Sequence, residues 1–192
     1  MDLACVRALR LIGTANAEDA LRSYWETDQQ DIAEEIAQIF NPLAIPFWQD
    51  WAKKEQTFPG SVLPRVDDLT PLKEITGLQE LWLQNTAVAD ITPLQELTGL
   101  QLLALHDTAV ADLTPLRRHT GLQLLWLDNT AVTDITPLKG ITGLQELYLS
   151  NTAVADITPL QGLTGLQRLS LDNTAVADVS VLDGIKGLRI FR

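Results

Sequence analysis

The sequence predicts an α/β solenoid: stacked strand-and-turn units behind a helical N-terminal segment. Three observations carry this reading. Residues 69–178 spell out one 22-residue unit five times, from LTPLKEITGLQELWLQNTAVAD to ITPLQGLTGLQRLSLDNTAVAD, and a sixth copy, VSVLDGIKGLRIFR, runs two-thirds of the way. Within each unit, leucines flank a single outward residue, as Leu81 and Leu83 flank Trp82, which is the period of a short strand. Residues 1–65 lose the repeat and take up helical spacing. A short fixed period leaves each unit unable to bury its own apolar face, so the units must stack on one another.

The N-terminal segment, residues 1–65, reads as a helical cap. Leu3, Val6, Leu9 and Leu11 mark a first helix, residues 19–25 a second, and Ile32, Ile36, Ile39 and Phe40 one face of a third that Asn41-Pro42 ends. Phe47, Trp48 and Trp51 fit a short fourth helix ahead of a turn at Phe58-Pro59-Gly60. Such a segment covers the otherwise open first repeat, as terminal units of an array must. Trp25, Trp48 and Trp51 are then core residues of that junction.

Within residues 66–192 each of the five full repeats begins its strand with L-x-x-L-x-L, as in Leu78, Leu81 and Leu83. This pattern resembles the 22-residue leucine-rich repeat of bacterial internalin-like proteins, over residues 69–192 and a partial unit at 66–68. The resemblance implies a horseshoe: strands forming a parallel sheet on the concave face, short helical turns on the convex side. That family usually places Asn where the strand turns away. Here the column reads Thr86, Thr108, Thr130, Thr152 and Thr174, whose hydroxyls can satisfy buried backbone with fewer bonds. Asn85, Asn129, Asn151 and Asn173 precede it, with Asp107 in the remaining unit.

After the turn each full unit continues with D-[IL]-T-P-L. Thr before Pro suggests an N-cap and a first-turn proline. The carboxylate column Asp68, Asp90, Asp112, Asp134, Asp156 and Asp178 reads as local backbone capping, which is the turn-forming habit of Asp. Gly77, Gly99, Gly121, Gly143 and Gly165 are expected to end the convex turn with positive φ.

The units differ mainly at outward strand positions, and alternate strand residues share a face. The column between the strand leucines runs Trp82, Ala104, Trp126, Tyr148, Ser170 and, by the 22-residue count, Arg192. Two residues earlier it runs Glu80, Leu102, Leu124, Glu146, Arg168 and Ile190; two residues later Gln84, His106, Asp128, Ser150 and Asp172. Trp82, Leu102, Leu124, Trp126 and Tyr148 are therefore expected to form one apolar patch on the concave face, edged by Glu80, Glu146, Asp128, His106 and Arg168. Clustered aromatic surface of this kind marks interaction sites, although aromatics also pair along a sheet for its own stability. His106 and Asp128 fall on adjacent strands, close enough for a hydrogen bond but too few to hold a metal. His119 stands beside Arg117 and Arg118 on the convex side, where other units carry Ile or Leu, and reads as a small basic spot, a tolerated substitution rather than a contact site.

Bulk composition narrows the function classes. The 192 residues are 46% hydrophobic and carry 14 Lys and Arg against 25 Asp and Glu, a formal charge of −11. An acidic chain without a basic stripe suits neither nucleic acid nor an anionic membrane surface. Cys5 is the single cysteine, which removes intrachain disulfides and Cys-based zinc sites. Arg7 and Arg10 interrupt the apolar run that a signal peptide needs, so the expected compartment is the cytoplasm.

These features define a non-enzymatic module that recognises a protein partner on its concave face, with no cofactor and no metal. No Ser or Cys nucleophile can be matched by spacing to a base and an orienting carboxylate. Residues 7–40 also resemble the helical stretch before the repeats in bacterial NACHT-type signalling ATPases, which implies the C-terminal sensor of such a protein; the chain has no phosphate-binding Gly-rich loop of its own. The alternative is a structural scaffold, natural or consensus-designed, self-associating through the uncapped strand at Phe191-Arg192.

Overall fold

The computed structural model describes residues 53–54, 56–59, 66–73 and 75–192. The helices expected over residues 1–51, with Cys5, Trp25, Trp48 and Trp51, lie outside the described residues. Among the described residues seven three-residue strands form one sheet in chain order: β1 (Thr57–Pro59), β2 (Glu80–Trp82), β3 (Leu102–Ala104), β4 (Leu124–Trp126), β5 (Glu146–Tyr148), β6 (Arg168–Ser170) and β7 (Arg189–Phe191). Every neighbouring pair is parallel. Between strands the chain makes a 3-10 turn, at Thr70–Leu72, Thr92–Leu94, Thr114–Arg118, Thr136–Leu138, Thr158–Leu160 and Ser180–Leu182. This is the solenoid expected from the period, with the leucine-rich repeat architecture that the resemblance implied.

The core lies between strand layer and turn layer. In one unit Leu78, Leu81, Leu83, Val88, Ile91, Leu94 and Leu97 are all 0–1% exposed, and the same columns continue through the following units. Backbone bonds tie unit to unit: the Gln79 carbonyl accepts from the N–H groups of Gln101 and Leu102, and Gln101 repeats this with Gln123 and Leu124.

Polar side chains close each unit from within. The hydroxyls of Thr86, Thr108, Thr130 and Thr152 donate to the carbonyls of Leu83, Leu105, Leu127 and Leu149, each at 2.6 Å. This is the backbone service expected of that column. The residue before each Thr carries the sharp turn: Asn85, Asp107, Asn129, Asn151 and Asn173 have φ of 54–59°, a conformation that Asn and Asp tolerate better than other side chains. The glycine column does not supply it. Gly77, Gly99, Gly121, Gly143 and Gly165 are absent from the positive-φ set, which contains only Gly140 and Gly187 among described glycines. Close stacking explains Gly143 instead, because a Cβ there would sit 2.7 Å from the Thr120 carbonyl oxygen.

The cap assignment also shifts. Each 3-10 turn has Leu, Ile or Val at the cap position with no side-chain cap bond, so Thr is the first residue of the turn and not its cap. The Asp two residues before accepts from the Thr or Ser N–H at 2.7–2.8 Å in all six units.

Both ends of the sheet depart from the 22-residue count. Phe58-Pro59, expected as part of a turn, belongs to β1, and the Gln56 carbonyl accepts from Gln79 and Glu80 as Gln79 does one unit later. Thr57 pairs with Glu80, a step of 80 − 57 = 23, whereas Arg168 pairs with Arg189, a step of 189 − 168 = 21. The shortened last step places Ile190 beside Leu169 and Phe191 beside Ser170. Ile190 therefore joins the core side and Phe191 the concave face, which corrects the columns that assigned Ile190 and Arg192 outward. Gly187, at φ 80°, sits two residues before β7.

Candidate functional site

In β2 to β6 the concave face is built by the first and third residues of each strand, the middle leucine pointing into the core. Trp82, Ala104, Trp126, Tyr148 and Ser170 stand side by side in strict register. Trp82 and Trp126 are two strands apart, roughly 9–10 Å by strand spacing, yet their ring centroids are 5.3 Å apart at 75°. The rings lean together over Ala104, which is 0% exposed. Tyr148 continues the row edge-on to Trp126 at 6.0 Å and 87°, and His106 approaches Trp126 at 5.7 Å. Edge-to-face pairs of this kind contribute about 0.5–1.5 kcal/mol each beyond area burial.

Carboxylates hold two of the rings. Trp82 Nε1 donates to Glu80 Oε2 at 3.3 Å, and the Tyr148 hydroxyl donates to Glu146 Oε2 at 2.8 Å. Arg168 Nη1 reaches the other oxygen of Glu146 at 2.9 Å. Partial burial, followed by the Glu146 contact, pushes the Tyr148 phenol above its usual range, and the Glu146 charge raises Arg168. Trp126 has no such tether: its Nε1 is covered and unpartnered.

The third column forms a polar strip beside the rings. Asp128 Oδ1 accepts from the Ser150 N–H at 2.8 Å, and Ser150 Oγ lies 2.6 Å from Ser170 Oγ, which donates to Asp172 Oδ2 at 3.0 Å. His106 and Asp128 lie not on strands but in the turns just after β3 and β4, in adjacent units; Asp128 is engaged by Ser150, and His106 Nδ1 and Gln84 Oε1 are covered without partners. Among the described residues no group of three or more His, Cys, Asp or Glu is placed to hold a metal ion.

The structure thus gathers Trp82, Leu102, Leu124, Trp126, Tyr148, Glu146, His106 and Asp128 on one face as half-buried side chains, with Glu80 and Arg168 exposed at its margin. The rings lie on one another more than they project. Phe191, 48% exposed, is the large hydrophobic most open to water among the described residues, and it adjoins Tyr148, Arg168 and Arg189 around a shallow hollow. Sequence spacing missed Phe191 because the 21-residue step is invisible to a 22-residue count. It missed the role of Ala104 because only its smallness among large neighbours signals it. His119 is 0% exposed, a core residue and not a surface basic spot.

Residues 142–184 match the family model described as Leucine Rich repeats (2 copies). No curated protein matches the chain. Among solved structures, internalin C2 from Listeria monocytogenes is similar at 24% identity and TM-score 0.60, covering 90% of each chain. Internalin F of the same organism is similar at 21% identity and TM-score 0.57, over 92% of this chain and 55% of that one. The functional domain of InlJ from L. monocytogenes, whose structure is described as including a cysteine ladder, matches at 18% and TM-score 0.54 over 71% of this chain and 28% of that one. The chain has the leucine-rich repeat solenoid fold and resembles the Listeria internalins in that fold.

Proposed function

We propose that the chain is a protein-recognition module and that its docking face is the concave sheet centred on Trp126. The observation that carries this is the ring row Trp82–Trp126–Tyr148, placed on the inner face by strand register and edged by Glu80, Glu146, Asp128 and Arg168. Rigid aromatics fixed by neighbours offer contact area at small entropic cost, and Trp, Tyr and Arg dominate interface energetics. Leu102 and Leu124 extend the apolar centre; His106 adds a polar edge. A sheet surface of this breadth suits a protein partner better than a small ligand, which needs an enclosing cavity.

Trp126→Ala and Tyr148→Ala test the reading. Both variants keep the wild-type circular dichroism spectrum and retain less of a partner captured from bacterial lysate, whereas Arg117→Ala on the convex side behaves as wild type. Capture unchanged by both concave variants discards the proposal. As part of the same proposal, the module acts in the cytoplasm as the sensor of a NACHT-type ATPase. Support for that context is the likeness over residues 7–40 alone, and an upstream NTPase in the flanking coding sequence is its test.

A further inference from the structure

Resting on the concave docking face, the geometry points to the partner chemistry: the notch bounded by His106, Trp126, Asp128 and Tyr148 receives an arginine side chain of the partner protein, with Asp128 as its counter-charge. The hollow measures about 270 Å³, below the range of roughly 300–1,000 Å³ typical of sites that enclose a whole small molecule. It is sized for one side chain. Two of its walls are aromatic, Trp126 and Tyr148 with centroids 6.0 Å apart, and ring faces attract guanidinium groups.

The carboxylate in the lining of the notch is unanswered. Asp128 Oδ1 accepts from the Ser150 N–H, and its second oxygen has no donor and no ion pair among the described residues. The chain itself shows the same chemistry completed one unit away. There Arg168 lies on Glu146 at 2.9 Å while Glu146 holds the Tyr148 hydroxyl. The unit before Asp128 places His106 at the notch and the unit after supplies Ser150, so no arginine among the described residues plays that part at Asp128. A body charged at −11 further favours a cationic visitor over an anionic one.

The experiment is a titration of the whole protein with a Gly-Ser peptide carrying one arginine, followed at the Trp126 indole N–H resonance in 1H–15N spectra. A matched peptide carries citrulline, which has the same shape without the charge. The arginine peptide is expected to shift the resonance saturably, and the citrulline peptide to bind at least about tenfold more weakly, the loss expected of one charged hydrogen bond. Asp128→Asn, which keeps an acceptor for the Ser150 N–H, gives the same tenfold loss. Glu96→Gln removes an equal charge from the convex side, where Glu96 pairs with Arg118 at 3.7 Å, and leaves the arginine affinity within about twofold, because a screened charge on the opposite face contributes little.

Equal binding of the two peptides overturns the inference. So does an unaffected Asp128→Asn protein, an equal loss in Glu96→Gln, or no shift with arginine peptide at about 10 mM, weaker than any useful single-residue contact. If Trp126→Ala and Tyr148→Ala still weaken partner capture in those cases, the docking face stands and only its arginine preference falls. If those alanine variants leave capture unchanged, the docking face falls as well.

Discussion

At the scale of single residues, His119 shows how one side chain can set the acid sensitivity of a repeat array. Other units place Ile75, Leu97, Ile141, Leu163 and Ile185 at the equivalent core position. His119 is completely covered there, and neither ring nitrogen makes a hydrogen bond although the Leu116, Leu94 and Leu97 carbonyls surround it. Burial disfavours the charged ring and lowers its pKa from the ordinary 6.5, against the pull of those carbonyls. The unfolded chain therefore takes up a proton near pH 6.5 and the folded chain only at lower pH. Stability is full above pH 6.5 and declines as the pH falls below it. His119→Leu should raise stability by about 1–2 kcal/mol through removal of unsatisfied polar atoms and flatten the urea midpoint between pH 7 and 5. A midpoint that falls equally in both proteins over that range would show that another group controls it. Thr130→Val tests the converse case, since it deletes the hydroxyl bonded to the Leu127 carbonyl; chemical denaturation should show a loss of about 1–2 kcal/mol.

At the scale of elements, the glycine column separates sequence pattern from its cause. Gly121 and Gly143 occupy identical places in consecutive units, yet a Cβ on Gly121 meets nothing within 4 Å and one on Gly143 meets the Thr120 carbonyl oxygen at 2.7 Å. Gly143→Ala should therefore destabilise by about 1–3 kcal/mol through overpacking against backbone. Gly121→Ala should be neutral or stabilise by up to about 1 kcal/mol by restricting the unfolded chain. Thermal melts of the two variants side by side decide this, and equal shifts would contradict it. The capping carboxylates obey a different rule. Contacts from the Thr92, Thr114 and Thr136 hydroxyls and N–H groups hold Asp90, Asp112 and Asp134 below the usual carboxylate range, and the Ser180 N–H and hydroxyl hold Asp178 there. Their contribution is present above pH 3.8 and is lost as the pH falls through the lower folded values, a window separate from that of His119.

Across the whole molecule, stability is the sum of similar units and the contacts between neighbours. Removing residues 113–134, one full period, should leave a folded six-stranded array whose urea m-value is smaller by roughly one-sixth, in proportion to the surface no longer exposed on unfolding. Circular dichroism with urea titration checks it, and an unfolded product would mean the units are not interchangeable. Periodicity made the large-scale architecture readable, because five copies of L-x-x-L-x-L place the same leucines inward each time. The Thr and Asp columns were readable from the needs of buried backbone and of turns. What escaped the pattern were features set by a single step or a single contact. The left-handed turns at Asn85 and Asp107 left one trace, the use of only Asn and Asp there. The 23-residue step into β2 and the 21-residue step into β7 left none in the repeat count, and so β1 and Phe191 were misplaced. The site columns could be placed on one face from alternation alone, but which rings touch depends on side-chain direction, which alternation does not encode.

Ala104 gives that last point a consequence. It is hidden under two indoles that meet only because it is a methyl group. Any bulkier residue there would prise the tryptophans apart and split one continuous surface into two separate islands, without altering a single atom that a visitor could feel directly. The most silent position on the sheet is thus the one through which selection, or an engineer, could retune whom this chain greets.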